Sequence, residues 1–338
     1  MYIKKSLKKL IAASMIAGSM TLTPMIDDFN VDFSFMSVAH AEIKTYTGVG
    51  EYLMSDFETP EVAKQRAKAR AEQNAQEQAG VYVSGYTKVN NMQVTDDEVI
   101  VITNGILSVT EVSYEKRFGT DDTTIFTATI KANINTDDVN KWLEKGIQER
   151  SAIAAQNKEL QEALAEQNKL IEELKKQLAD KNSNTDMNKL KEEFENVDNA
   201  FMSNQKVESG NRAYFNGNYQ SAISEYSQAI DLNTKNAIAY RNRGTAYANL
   251  QNYSYAARDY SRVIELDPSN ASAYVGRGAA YIYMGQYNAA ISDLTKAIQL
   301  NPNDPLSYYN RGICYQATGN MERAQADYNK AKAMGLSD

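Results

Sequence analysis

What this chain nearly lacks limits its chemistry first. Its 338 residues hold one histidine and one cysteine. The histidine, His40, lies in a leader that reads as removed, so the rest has no imidazole for general-base catalysis, metal ligation or a Ser-His or Cys-His couple. Cys314 has no second thiol, which excludes an intramolecular disulfide, and no cysteine stands directly after the leader to carry a lipid. Positive charge is not in excess either. Lysine and arginine number 36 against 43 acids, a net charge of −7 that argues against a nucleic-acid partner. No phosphate-cradling glycine loop or metal-ligand spacing is present, so no cofactor is expected and the chain reads as a non-enzyme.

The only strongly apolar run is short. Lys4, Lys5, Lys8 and Lys9 precede Leu10 to Leu22, and Ala39-His40-Ala41 stands before Glu42 as an A-x-A cleavage pattern. Residues 1–41 therefore read as a secretory signal peptide, too short in its apolar part to span a bilayer. The stretch from Asp27 to Phe35 is longer and more aromatic than is usual there, which leaves a cut near Ser19 as the alternative. The expected location is the periplasm or cell envelope of a bacterium, with no transmembrane span after cleavage.

Glycine is sparse but regularly placed. Gly210, Gly244, Gly278 and Gly312 recur every 34 residues, and Tyr240, Tyr274 and Tyr308 precede the last three by four. Tyr247, Tyr281 and Tyr315 follow by three, Ala256, Ala290 and Ala324 by twelve, and Pro268 and Pro302 close two units. This pattern closely resembles the tetratricopeptide repeat, a helix–turn–helix unit, in four copies over 203–236, 237–270, 271–304 and 305–338. The resemblance implies an all-α solenoid whose concave face, lined by the first helix of each unit, binds an extended peptide or a helix. On it fall Asn211, Tyr214, Arg241, Thr245, Asn249, Tyr283 and Tyr309. The carboxylate clamp of the family's co-chaperones is matched only at its two asparagines, because its positions hold Val207, Asn211, Asn242, Ser272 and Gly276, so no clamp of that kind is expected. Arg243, Arg277 and Arg311 each have an acid sixteen residues on, Asp259, Asp293 and Asp327, which predicts internal ion pairs rather than an anion-binding ladder.

Residues 42–135 follow another pattern. Thr123 to Ile134 alternates as a half-buried strand, Leu107 to Phe118 reads as its neighbour, and Ile43 to Met54 as a third strand. Between Thr59 and Gly80 an alanine stripe at Ala63, Ala67, Ala71, Ala75 and Ala79 predicts a helix that Gly80 stops. Asp96 to Gly105 fits either a strand or a short helix. Together these make a small α+β domain. From Ala67-Lys68-Ala69-Arg70-Ala71 through Gln78-Ala79-Gly80-Val81 to the strand at Thr123, it resembles the N-terminal domain of flagellar assembly protein T and related lipoproteins. That likeness implies an envelope binding or assembly role.

A helix capped at Asn135 is expected to run to Lys181, with a coiled-coil segment over 136–181. Its heptad core is Ile153, Asn157, Leu160, Leu164, Ile171, Leu174 and Leu178, an oligomerisation seam. Residues 182–202 read as a linker, Asn182-Ser183-Asn184-Thr185, and a short amphipathic helix. The whole reads as an exported scaffold, oligomerised by its coiled coil, that binds protein or peptide partners of the envelope through its repeats. Two readings compete with it: an envelope or flagellar assembly factor whose α+β domain recognises the partner, and a wall-polymer hydrolase using Asp121 and Asp122.

Overall fold

The computed structural model describes residues 42–55, 58–89, 94–119, 123–144, 147–179 and 187–336. The signal peptide, the Asp121–Asp122 pair and the Asn182–Thr185 linker lie outside them. Among the described residues no helix is long and apolar enough to cross a membrane.

Strands β1 (Ile43–Met54), β2 (Ser108–Phe118) and β3 (Thr124–Asn135) form one antiparallel sheet in the order β1-β3-β2. Phe126, Ala128, Ile130, Ala132 and Ile134 all point to its buried face. Helix α1 (Pro60–Val89) lies on that face with the five alanines of the stripe fully buried. They meet Gly48 and Gly50 of β1, where a Cβ would run into the carbonyl oxygens of Ala71 and Ala67. The alanine stripe and the two strand glycines are thus one feature, a helix backbone laid almost against a strand backbone. Gly80 does not stop the helix. Burial continues past it at Val83 and Thr87, and that outweighs the roughly 1 kcal/mol a mid-helix glycine costs.

Asp96–Ile106 is a helix, α2. Thr95 caps it by accepting from the Glu98 N–H at 3.2 Å while Glu98 accepts from the Thr95 N–H at 2.9 Å. The one long helix expected from Asn135 is instead two. Helix α3 (Thr136–Leu143), capped by Asn135, buries Val139 and Trp142, and α4 spans Ile147–Ala179. All seven seam residues of α4 are buried within this single chain, whereas Leu170 beside them is exposed. The second half of α4 is tied to the sheet domain, where Lys175 reaches Glu58 at 3.2 Å and the Tyr52 hydroxyl.

Helix α5 (Met187–Phe215) runs unbroken, joining the expected short amphipathic helix to the first helix of repeat one. The described chain divides into two compact units, one holding residues 42–144 and 153–201, the other 147–152 and 202–336. The second unit continues as helix pairs: α6 (Tyr219–Leu232), α7 (Ala237–Asn249), α8 (Tyr253–Leu266), α9 (Ala271–Tyr283), α10 (Tyr287–Leu300), α11 (Pro305–Ala317) and α12 (Met321–Ala333). Asn236, Asn270 and Asp304 cap the first helix of repeats two to four through the N–H groups of Ala239, Ala273 and Ser307. The turns inside repeats one, three and four use Gly217, Gly285 and Gly319 in the left-handed region; repeat two places Gln251 there, at φ 62°.

Candidate peptide-binding face

The recurring arginines are committed inside the array. Arg243 donates through Nε and Nη2 to both carboxylate oxygens of Asp259 at 2.8 Å, and through Nη1 to Ser227 Oγ of the preceding repeat at 3.0 Å. Arg277 repeats this with Asp293 and Ser261, and Arg311 with Asp327 and Thr295. A planar guanidinium meeting a carboxylate in this forked geometry has little left to offer a ligand. The bond to Asp293 raises the Arg277 guanidinium above its ordinary value. Repeat one has Ser209 at the arginine position, and its acid, Glu225, pairs with Lys206 at 3.3 Å.

The face formed by the first helix of each repeat is largely sealed by its own packing. Val207, Val275, Ala279, Leu306 and Ile313 are buried. Asn211 is buried too, and its Oδ1 accepts from Tyr226 Oη at 2.8 Å and Asn242 Nδ2 at 2.9 Å, so it joins repeats one and two rather than facing a groove. The other six groove candidates are half-buried. Thr245 Oγ1 bonds to the Arg241 carbonyl and to Tyr260 Oη, both at 3.0 Å. Asn249 Nδ2 donates to Tyr214 Oη at 2.9 Å and to the Thr245 carbonyl at 3.0 Å. These contacts bring Tyr214, Asn249, Thr245 and Arg241 together across repeats one and two, while Tyr283 and Tyr309 stand on repeats three and four.

Aromatic neighbours that the sequence reading did not include extend this face. Tyr253 stacks on Tyr283 with ring centroids 4.4 Å apart and planes 3° from parallel. Tyr219 leans on Tyr214 at 5.2 Å, and Tyr328 on Tyr309 at 5.4 Å. The signal for the first two was available, because Tyr219, Tyr253 and Tyr287 open the second helix of three repeats at the same 34-residue spacing.

Sequence profiles agree with this geometry. Profiles described as TPR repeat match residues 210–251 and 278–319, and those described as tetratricopeptide repeat match 237–270 and 306–334. Among curated proteins no sequence matches the chain. Similar solved structures include MamA, at 22% identity and a TM-score of 0.38, covering 45% of this chain and 96% of that one. The Arabidopsis OM64 TPR domain is 30% identical at a TM-score of 0.34, covering 35% and 98%. The first TPR of Spaghetti (RPAP3), bound to the HSP90 peptide SRMEEVD, is 27% identical at 0.35, covering 36% and 95%. By repeat length, helix pairing and sequence profile, residues 210–334 of this chain are tetratricopeptide repeats.

Proposed function

We propose that the chain is an exported, non-enzymatic scaffold of a bacterial envelope that binds protein or peptide partners through the first-helix face of its repeats. One observation carries this reading. Tyr214, Arg241, Thr245, Asn249, Tyr283 and Tyr309 remain half-exposed across four repeats while their neighbours on that face are buried. Tyrosines with a few amides and hydroxyls suit a peptide, the rings supplying contact area and the polar groups bonding its backbone. Only one of the six is charged, so affinity should depend little on salt. Export rests on the basic start, short apolar run and Ala39-His40-Ala41 of the sequence, and a mature chain beginning at Glu42 would bear it out.

The test uses a peptide selected on the full chain from a random library. Tyr283→Ala and Tyr309→Ala should each weaken it roughly thirtyfold, in line with about 2 kcal/mol for an aromatic anchor, with the helical signal retained. Gln299→Ala, on the second helix of repeat three, should change little. Binding that survives both tyrosine changes and disappears on deleting residues 42–135 would move recognition to the α+β domain. Self-association enters this proposal only by exchange, since the α4 seam is already buried within one chain. Light scattering at tens of micromolar distinguishes an exchanged oligomer from a monomer.

A further inference from the structure

In repeats two to four the recurring arginine lies between two tyrosines of its own helix: Arg243 between Tyr240 and Tyr247, Arg277 between Tyr274 and Tyr281, Arg311 between Tyr308 and Tyr315. Repeat two builds most on this floor; repeat four adds Arg323, 5.7 Å from the Tyr315 ring. The second helix of repeat two adds Tyr255, Arg258 and Arg262, where repeat one has Ser221, Ser224 and Gln228 and repeat three has Ala289, Ser292 and Lys296. Repeat four has Arg323, Ala326 and Lys330 there. The result is a cleft of about 540 Å³ between α7 and α8, lined by Tyr240, Arg243, Tyr247, Tyr255, Arg258 and Arg262. At about 100° per residue, Tyr240, Arg243 and Tyr247 fall on the side of α7 opposite Arg241, Thr245 and Asn249. The cleft is therefore separate from the proposed groove.

Its charges are unevenly used. Asp259 is taken by Arg243, and Glu265 pairs with Arg262 at 2.8 Å in an exposed contact that a competing anion displaces at little cost. Arg258 is exposed and acts on Asp259 only through its charge, without a hydrogen bond. Three guanidiniums thus face two carboxylates in a chain whose net charge is −7. Beside them Tyr255 is 56% exposed and backed by Tyr247, ring centroids 5.2 Å apart. A flat aromatic surface next to two accessible guanidiniums selects an anionic group attached to something that stacks.

We propose that this cleft is a second binding site of the array, for an acidic segment of a polypeptide. Its carboxylates sit on Arg258 and Arg262, and a neighbouring side chain lies flat on Tyr255. A long polyanion such as nucleic acid is disfavoured, because beyond this patch it meets an acidic protein. A short acidic stretch is not repelled in that way, and at physiological salt the attraction is confined to about 8 Å.

Fluorescence anisotropy of the full chain tests this with a labelled decapeptide carrying three glutamates around one tryptophan, and with its glutamine counterpart. The glutamate peptide should bind, weaken as salt is raised, and lose at least tenfold in affinity on Arg258→Ala with Arg262→Ala. Arg258 is exposed and Arg262 is half-buried in a surface pair, so circular dichroism should be unchanged. Tyr255→Ala should weaken binding severalfold, the glutamine peptide should not bind, and Tyr283→Ala with Tyr309→Ala should leave the site intact. Absence of binding at low salt, equal binding by the double arginine variant, or equal binding of the glutamine peptide overturns the proposal. So does retention of inorganic phosphate but not peptide at the same arginines, which would make the cleft a small-anion site.

Discussion

The array and the N-terminal unit both bury arginine against carboxylate, but by different constructions. In the array each pair is local, sixteen residues apart, forked, and backed by one hydroxyl from the preceding repeat. In the N-terminal unit the charges converge from several elements. Glu58 receives the Tyr52 hydroxyl of β1 at 2.6 Å, Lys175 of α4 at 3.2 Å and Arg66 of α1 at 3.5 Å. Arg66 also pairs with Asp198 of α5 and lies 5.1 Å from the Phe201 ring. A periodic pair stabilises one repeat and can be copied; a convergent cluster ties separate elements together and fails as a whole when its centre is removed.

That difference sets the order of expected effects. Glu58→Ala leaves Arg66 and Lys175 buried without their shared counter-charge. Side chains at 1% and 3% exposure for Glu58 and Arg66 place this among fully buried pairs, so the loss should be about 3–5 kcal/mol. It should appear in the melting of the N-terminal unit, with the array's transition unmoved. Acid should act similarly. Burial pushes the Glu58 carboxyl up, but the bond from Tyr52, the Ser55 N–H and the charges of Lys175 and Arg66 outweigh it and hold it below the usual range. A lowered folded pKa contributes stability that is present above the unfolded value, about 4.3, and is lost as pH falls through the folded one. The N-terminal transition should therefore drop below about pH 4, and Glu58→Gln should remove that dependence.

Arg277→Ala should cost less, about 1.5–3 kcal/mol, because Arg277 is 20% exposed and its bonds to Asp293 are charge-assisted. Arg277→Met with Asp293→Leu should recover much of it, since two well-packed apolar side chains often replace a buried pair without loss. A double variant as unstable as the single one would mean that the ladder is more than a local pairing.

The smallest effect uses one substitution at two equivalent places. Asn242 Nδ2 donates to Asn211 at 2.9 Å, whereas Asn310, fully buried at the same position of repeat four, makes no side-chain hydrogen bond. The cause lies in the neighbours. Ala279 replaces the partner asparagine, and Leu294 stands where Tyr226 carries its hydroxyl in repeat one. Asn242→Ala should destabilise the array by about 1 kcal/mol and Asn310→Ala should stabilise it by a similar amount, as chemical denaturation would read.

Periodicity made the array legible, and it made the arginine pairs legible as well: a donor and an acid fixed sixteen residues apart in three of the four units have few other places to go. The sheet was legible from alternation, with Ile43–Met54 read at both ends. What escaped was set by partners far away in sequence. The end of α1 depends on burial beyond Gly80, and the Glu58 cluster depends on residues from 52 to 198. The heptad of α4 announced an apolar face but not what covers it. At the candidate site, the sequence pattern indicated the first-helix face but could not separate Asn211, drawn into the repeat interface, from Tyr214 on the next turn.

The central claim is that the array's first-helix face, rather than the α+β domain, holds the partner peptide. Hydrogen–deuterium exchange of the full chain with and without a library-selected peptide tests it most directly. Binding there slows exchange in the C-terminal half of α5 and in α7, α9 and α11, with the sheet and α1 unchanged. Slowed exchange confined to β1, β2, β3 and α1 would contradict it.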